Sequence, residues 1–453
     1  MRNLHTLILV PLVALSTTSQ AQDVLFTYKA GADAERLPKR VLRDQSQEEG
    51  LFTELGLKVG GDFSDQWKYY VDTRAFGATS QISSSFDDVD TGRTEPSSSS
   101  DSYVQLRQAW VRFGGLTDYP DEHLTLGLQR ITATSPLWWD TELESLVWRF
   151  QTTRFEFQTG VGERLDTYRS NNDLSAIDED RLRVFADGSF DWTAYHQVFL
   201  RFMFTDQDSN DLPSDVQTGA PDGANGQWLW YGIGAGSNWM ERRSASSWAY
   251  NVEWIGLSGE SDFTSGSGIT LEDHDISAWA LDIGARYDFK SAPASFGMTY
   301  SQGSGGFDQG ESNMFVQTGL HTNRGRFVGN KQYLFRYNEA LRADLTNLTH
   351  AAMFASYTFE RDLMLAGQIS KFGRDDEDFP IYRRAQPLDM NTDSDDVGYG
   401  IDVSLRHSLN NTYANVPVQY WRIRGSGFFP GDAFDNENDG SVYRVVLEVV
   451  GAL

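Results

Sequence analysis

The stretch SVYRVVLEVVGAL, residues 441–453, decides the fold. Every second residue from Tyr443 to Val449 is large and apolar, whereas Arg444 and Glu448 fall on the opposite face. An alternation of period two predicts a β-strand. A strand with an apolar face and a charged face suits a wall between lipid and a wet lumen, so this segment favours a transmembrane β-barrel.

Period-two segments recur along the whole chain, and we predict eighteen strands. They are residues 24–30, 49–60, 67–77, 102–114, 122–131, 145–151, 154–163, 182–190, 194–206, 227–237, 247–258, 274–288, 294–303, 346–359, 362–373, 397–408, 416–427 and 441–453. YNEALRADL, residues 337–345, is the one candidate helix.

The connections between these segments alternate strictly between long and short. The long, polar ones are residues 31–48, 78–101, 132–144, 164–181, 207–226, 259–273, 304–345, 374–396 and 428–440, and the short ones are 61–66, 115–121, 152–153, 191–193, 238–246, 289–293, 360–361 and 409–415. A soluble sandwich or propeller, the alternative fold, has no reason to alternate in this way. An outer-membrane barrel has short periplasmic turns and long extracellular loops. The sequence therefore predicts an all-β barrel of about 18 antiparallel strands.

The first 21 residues predict a secretory signal peptide, with Arg2 before an apolar core and a small-residue cleavage site at 19–21. Residues 22–453 are then expected to form a single barrel domain. The chain has no cysteine, which excludes disulfides and thiolate metal sites. Its net charge of −26 is concentrated in predicted loops, for example residues 374–396 with eight acids and three arginines. This acidity makes nucleic-acid binding improbable.

Motifs for catalysis or metal binding are weak in this sequence. The histidines form no HxxxH or HExxH pair, so we predict no metal site and no cofactor. Paired acids at Asp140 and Glu142 also occur in glycosidases, but we expect solvated loop charges that fold inward and pair with lumen arginines. We interpret the adjacent Trp138 and Trp139 as membrane-interface anchors or loop-packing residues in preference to a sugar platform.

Several longer stretches together resemble one family. They are YPDEHLTLGLQR (119–130), WWDTELESLVWRFQTT (138–153), GVGERLDTYR (160–169), GSGGFDQGE (303–311), QTGLHTNRGRF (317–327), RYNEALRADLTNL (336–348) and IRGSGFFPGDAF (423–434). They resemble the alginate export family, outer-membrane porins of polyuronate-secreting bacteria. The resemblance implies an eighteen-stranded monomeric barrel in the outer membrane.

The resemblance also implies a lumen lined by basic side chains that guide an anionic polymer. The family's pore bases correspond to Lys29, Lys58, Arg107, Arg130, Arg342 and Arg422. Strand alternation independently places Lys58, Arg107 and Arg422 on the lumen side. The alternative for each base is an ordinary ion pair with a lumen acid such as Glu54 or Glu448.

Four departures from the family pattern bear on function. Tyr333 stands in place of an arginine, Asn171 in place of an aspartate, and Glu142 in place of an asparagine. The turn at 409–415 is shorter than the periplasmic loop that plugs the family's barrel. We therefore expect a more open channel.

These observations lead to one expected function and two alternatives. We expect a non-enzymatic outer-membrane porin for an anionic polysaccharide, most simply alginate export with periplasmic secretion partners. The alternatives are an uptake porin for anionic oligosaccharides and an outer-membrane polysaccharide hydrolase. A passive pore has no intrinsic direction, so the residues do not separate export from uptake.

Overall fold

We describe the protein from a computed structural model. The structure describes residues 22–37, 46–79, 102–119, 121–171, 174, 178, 180–207, 226–237, 239–240, 247–264, 270–308, 310–383, 386–391, 393–413, 416–434 and 441–452. The expected signal peptide and the acidic run 435–440 lie outside these residues.

Eighteen antiparallel strands form the wall. They are β1 (Gln22–Leu37), β2 (Ser46–Asp62), β3 (Trp67–Ala78), β4 (Ser102–Phe113), β5 (Glu122–Thr132), β6 (Asp140–Gln151), β7 (Phe155–Glu163), β8 (Arg181–Asp191), β9 (Gln197–Gln207), β10 (Gly226–Ser237), β11 (Trp248–Thr264), β12 (Thr270–Asp288), β13 (Ala294–Gly303), β14 (Leu348–Thr358), β15 (Leu363–Arg374), β16 (Asp396–Tyr413), β17 (Val416–Pro430) and β18 (Val442–Ala452). Consecutive strands pair, and β1 pairs with β18 from Thr27↔Ala452 to Arg36↔Tyr443. The sheet therefore closes, as the sequence predicted.

Polarity in this barrel is inverted relative to a soluble protein. On β18, Tyr443, Val445 and Leu447 are exposed on the outer surface, while Arg444 and Glu448 are buried inside. The same alternation runs through β9 and β13–β15. Exposed apolar rows around a charged interior are stable where the outer solvent is lipid, because only there does the outer face lose no hydrophobic free energy.

Aromatic pairs gather at the ends of the strands joined by short turns. Trp67 lies against Phe113, with ring centroids 4.9 Å apart. Trp248 lies against Tyr287 at 5.0 Å, and Tyr357 against Phe359 at 4.6 Å. An aromatic girdle of this kind marks the membrane interface of an outer-membrane barrel, here on the periplasmic side. No described helix is long and apolar enough to cross a membrane.

Several predicted connections are shorter in the structure, because the strands extend beyond the clearest alternation. β11 and β12 continue to Thr264 and from Thr270, and β16 and β17 leave only residues 414–415 between them. Strand β6 begins at Asp140 instead of residue 145. The predicted loop bounds were therefore wrong for residues 31–48, 132–144, 259–273 and 409–415. In these places the strand ends carry polar or small residues on both faces, so their sequence looks like a loop.

The long connection between β13 and β14 folds into the barrel. We call residues 304–347 the inner segment. Its described residues form no helix, so the predicted helix at 337–345 is wrong: Asn338 and Arg342 have φ angles of 62° and 52°, which end any helical turn. Its apolar side chains join the main core, and Trp230 Nε1 donates a hydrogen bond to the carbonyl of Val316 at 2.6 Å.

The inner segment covers one half of the inner wall. Asn338 Nδ2 donates to the Ser426 hydroxyl at 3.0 Å, and Gln332 Nε2 donates to the carbonyls of Met364 and Ser404. Lumen-facing side chains of β13–β15 are accordingly buried. On β4, by contrast, residues 105–113 are only half-buried. The free space in the lumen therefore lies beside β4.

Candidate functional site

The buried interior carries many charges that balance. Among the described residues, Lys29 and twelve arginines are buried, together with thirteen carboxylates. The interior is thus neutral within a chain of net charge −26. The excess of acid therefore lies outside this buried set, so the potential among the buried groups is less negative than the composition implies.

Three of the six predicted pore bases are partly accessible, and each pairs with an acid. Lys58 Nζ lies 3.7 Å from Asp72, and its side chain is 34% exposed. Arg107 donates to Glu142 at 3.0 Å, and Arg130 donates to Asp140 at 2.7 Å, as expected for Asp140. The Arg130 side chain is 37% exposed. Each of the three cationic groups thus lies within 4 Å of a carboxylate while its side chain stays partly exposed.

The other three predicted bases are buried in ion pairs. Lys29 lies 3.9 Å from Glu54, and Arg422 donates through two nitrogens to Glu448. Arg342 donates to Glu35 at 2.9 Å, although the two residues are 307 positions apart. Removing either partner of such a pair leaves a buried charge without a counter-ion, so these residues stabilise the wall and the inner segment.

Glu35 holds two loops at once. Its second oxygen accepts a hydrogen bond from Arg383 at 3.0 Å, and Arg383 lies in the loop between β15 and β16. Burial lowers the pKa of Arg342, and it lowers the pKa of Arg383 to about 10 despite the contact with Glu35. Glu35 is therefore the carboxylate that both guanidinium groups share, while Asp33 and Glu339 also favour the charged form of Arg342.

Trp138 and Trp139 are almost completely buried in the main core, with 1% and 0% exposure. Their rings meet edge-to-face at 5.7 Å, and Trp138 Nε1 donates to Glu253 at 2.7 Å. The membrane-interface interpretation is therefore wrong, and the loop-packing interpretation is confirmed. Glu253 also accepts from Arg201, so this loop is fastened to a buried ion pair in the wall.

Comparison with known proteins agrees with this architecture. The family model described as alginate export matches residues 21–447. The chain is 31% identical over 430 residues to the alginate production protein AlgE of Pseudomonas aeruginosa, which covers 88% of this chain and 86% of that protein. It is also 31% identical over 355 residues to AlgE of Azotobacter vinelandii, covering 72% of each chain. The chain belongs to the alginate export family.

The fold of this alginate export family member is also similar to solved outer-membrane barrels. Acinetobacter baumannii OccAB2 gives a TM-score of 0.59 at 10% identity, covering 95% of this chain and 98% of that one. Pseudomonas aeruginosa OccK2, solved in complex with glucuronate, gives 0.56 at 11% identity with the same coverage. At these identities the likeness concerns the fold alone. Family and fold together place the protein in the outer membrane.

Two departures from the alginate export family pattern take definite positions. Tyr333 lies on the inner segment, with the guanidinium groups of Arg324 and Arg326 5.1 and 4.5 Å from its ring centroid. The aromatic ring of Tyr333 therefore receives two cations. At the other departure, strands β16 and β17 stay paired as far as Tyr413↔Val416.

Sequence reasoning missed the arginines that have no acidic partner. Arg112 on β4 and Arg149 on β6 face the lumen near the short-turn end of the barrel, and within the described part of the chain neither forms an ion pair. Arg406 on β16 similarly stacks on Tyr420, with its guanidinium carbon 3.8 Å from the ring centroid. Strand alternation could have identified Arg112 and Arg149, because both lie on the inward face of strands whose outward face is mainly apolar.

Proposed function

We propose that this barrel is a non-enzymatic, passive pore through which an alginate-like polyuronate crosses the outer membrane, in the direction of export. The observation that carries the proposal is a closed, lipid-facing barrel of the alginate export family with arginines along the open side of its lumen. Arginine presents a planar fork that matches a carboxylate, and it keeps its charge when partly desolvated. A polyuronate offers one carboxylate per sugar to such a row.

We propose different roles for the two groups of predicted bases. Lys58, Arg107 and Arg130 contact the polymer, because they are partly exposed and because a polymer carboxylate can replace the protein's own acid on each of them. Exchanging a carboxylate of the protein for one of the polymer costs little free energy. The polymer therefore binds at several weak sites and can dissociate from each of them. Lys29, Arg342 and Arg422 position the wall and the inner segment.

We propose that the acids paired with Arg107 and Arg130 restrict which anions bind there. Asp140 and Glu142 hold Arg130 and Arg107 in place when no polymer is present, and they oppose anions of the wrong shape. We further propose that residues 1–21 are removed as a signal peptide, that residues 22–453 act as a monomer, and that periplasmic secretion proteins deliver the polymer.

The proposal is tested by current block in a planar lipid bilayer. Purified protein should form channels whose current falls when mannuronate or guluronate oligomers are added, whereas neutral mannose oligomers of equal length should block far less. The uronate oligomers should be recovered at their original length. Equal block by charged and neutral oligomers would refute a pore built for polyanions, and shortened oligomers would support the hydrolase alternative.

A further inference from the structure

The short-turn end of the lumen carries a group of side chains that the family resemblance does not assign. We call Tyr70, Trp110, Arg112, His123 and Arg149 the mouth cluster. Each lies within a few residues of the short-turn end of its strand, on β3 to β6, and each is half-buried. This end faces the periplasm in an outer-membrane barrel, so the cluster stands where a polymer would arrive.

The strand register shows that the mouth cluster faces inward. Val111, Leu126 and Leu146 stand opposite one another across β4, β5 and β6, and the two leucines are 56% and 39% exposed on the outer surface. Arg112, His123 and Arg149 lie at odd spacing from this outward row, which puts them on the lumen face. Tyr70 pairs with Trp110 across β3 and β4 and shares that face.

Arg112 is held in a fixed position. Its Nε donates to the hydroxyl of Thr125 at 3.2 Å, and its guanidinium carbon lies 4.7 Å from the centroid of the Trp110 ring. Trp110 in turn stacks on Tyr70, with centroids 5.4 Å apart and planes 25° apart, and donates from Nε1 to Gln108 at 3.2 Å. The row of two rings and one guanidinium is thus organised before any ligand binds.

Arg149 supplies a second cation beside the first. It stands opposite His123 across β5 and β6, and its Nε is buried with no hydrogen-bond partner. Nε2 of His123 is likewise buried and unpartnered. The charges of Arg112 and Arg149 repel each other. Glu156 attracts Arg149 and Asp121 attracts His123, but neither acid lies within ion-pair distance of its partner. Like charges and unused donors held together favour an anion that binds between them.

We propose that the mouth cluster is a periplasmic capture site for one uronate residue, in which Arg112 and Arg149 bind the carboxylate and the Tyr70–Trp110 rings pack against the sugar. A pyranose ring has an apolar face of C–H groups, and a half-buried aromatic edge removes that face from water. The next bases towards the interior, Lys58 and Arg107, form ion pairs with acids, whereas none of the ion pairs among the described residues involves Arg112 or Arg149. The site rests on the proposed function and adds its first step.

The test uses the full barrel in planar bilayers and a mannuronate trimer as the probe. Arg149→Gln and Trp110→Leu should each weaken binding of the trimer, measured from current block, by about tenfold, since each loses a charge-assisted hydrogen bond or the support of Arg112. Arg149→Lys should keep part of the affinity. With a neutral mannose trimer, Trp110→Leu should still weaken block, whereas Arg149→Gln should have no effect.

Matched controls lie on the same rim. Trp67→Leu removes an exposed outward tryptophan, and Arg154→Gln removes an exposed turn arginine, and neither should alter block. Retained heat-modifiable migration on gels would show that each variant is folded. Suppose that uronates block the unmodified channel, and that the Arg149→Gln and Trp110→Leu variants bind the trimer as tightly as the unmodified channel does. The proposed capture site is then overturned. If uronates do not block the unmodified channel at all, the proposed function itself is overturned.

Discussion

Glu35→Gln is the most informative single change, because one carboxylate neutralises two buried arginines. Gln keeps the size and an acceptor oxygen but removes the charge that Arg342 and Arg383 share at 2.9 and 3.0 Å. Breaking a buried ion pair from one side costs about 3–5 kcal/mol. Since 1.4 kcal/mol is a factor of ten, docking of the inner segment should weaken by roughly a hundred- to a few-thousand-fold.

The assay is single-channel recording in a planar bilayer. The inner segment packs inside the barrel against its wall, so loss of its docking should produce excursions to a higher conductance and larger current noise. Asp389→Asn, which neutralises an exposed carboxylate in the loop that also carries Arg383, should leave the recording unchanged. Replacing Arg383 by Met as well should reduce the noise again, because an apolar side chain needs no counter-ion.

An unaltered conductance and noise level in folded Glu35→Gln protein would refute this reasoning. It would mean that the hydrogen bonds of Gln332 and Asn338 to the wall hold the inner segment without help from the ion pairs. The heat-modifiable migration of the barrel on gels separates this result from a failure to fold.

Three further predictions concern other parts of the lumen. Glu142→Gln frees Arg107 from its carboxylate, so anion selectivity should increase, measured as a shift in reversal potential across a salt gradient. Trp138→Phe removes the indole N–H that donates to Glu253, so the free energy of unfolding should fall by about 1–3 kcal/mol. The barrel should then unfold at a lower temperature in detergent, and an unchanged melting midpoint would contradict this. Gly303→Ala would put a Cβ 1.7 Å from the carbonyl oxygen of Leu345, so the folded fraction after refolding into detergent should fall sharply. Gly425→Ala, where no atom lies within 4 Å of the added Cβ, should fold like the unmodified protein.

The strands could be predicted from the sequence because their alternation is local. Each lipid-facing row, such as that of β18, repeats every second residue, and the connections alternate in length for a topological reason. The prediction of a helix at 337–345 failed for a physical reason as well. Tyr337, Leu341 and Leu345 repeat at near-helical spacing, but an irregular segment buried on several sides produces the same spacing. Asn338 in a left-handed conformation breaks the helix.

The candidate site was only partly predictable, since its chemistry depends on distant pairs. Alternation placed Lys58 and Arg107 on the lumen side, but no local pattern reveals which acid neutralises each base. Arg342 meets Glu35 across 307 positions and Arg444 meets Asp33 across 411. The accessible and buried bases look alike in the sequence. Only the closed barrel and the inner segment separate them, and the same structure shows Arg112 and Arg149 outside every ion pair of the described residues.

The central claim, a lumen that selects polyanions despite an acidic chain, is tested most directly by the reversal potential of the unmodified channel under a salt gradient. The account predicts a reversal potential whose sign shows that anions permeate more readily than cations. It also predicts a shift towards cation selectivity when Arg107 and Arg130 are both replaced by Glu. Cation selectivity in the unmodified channel would contradict the account, because it would show that the acids of the lumen and the loops outweigh its arginines.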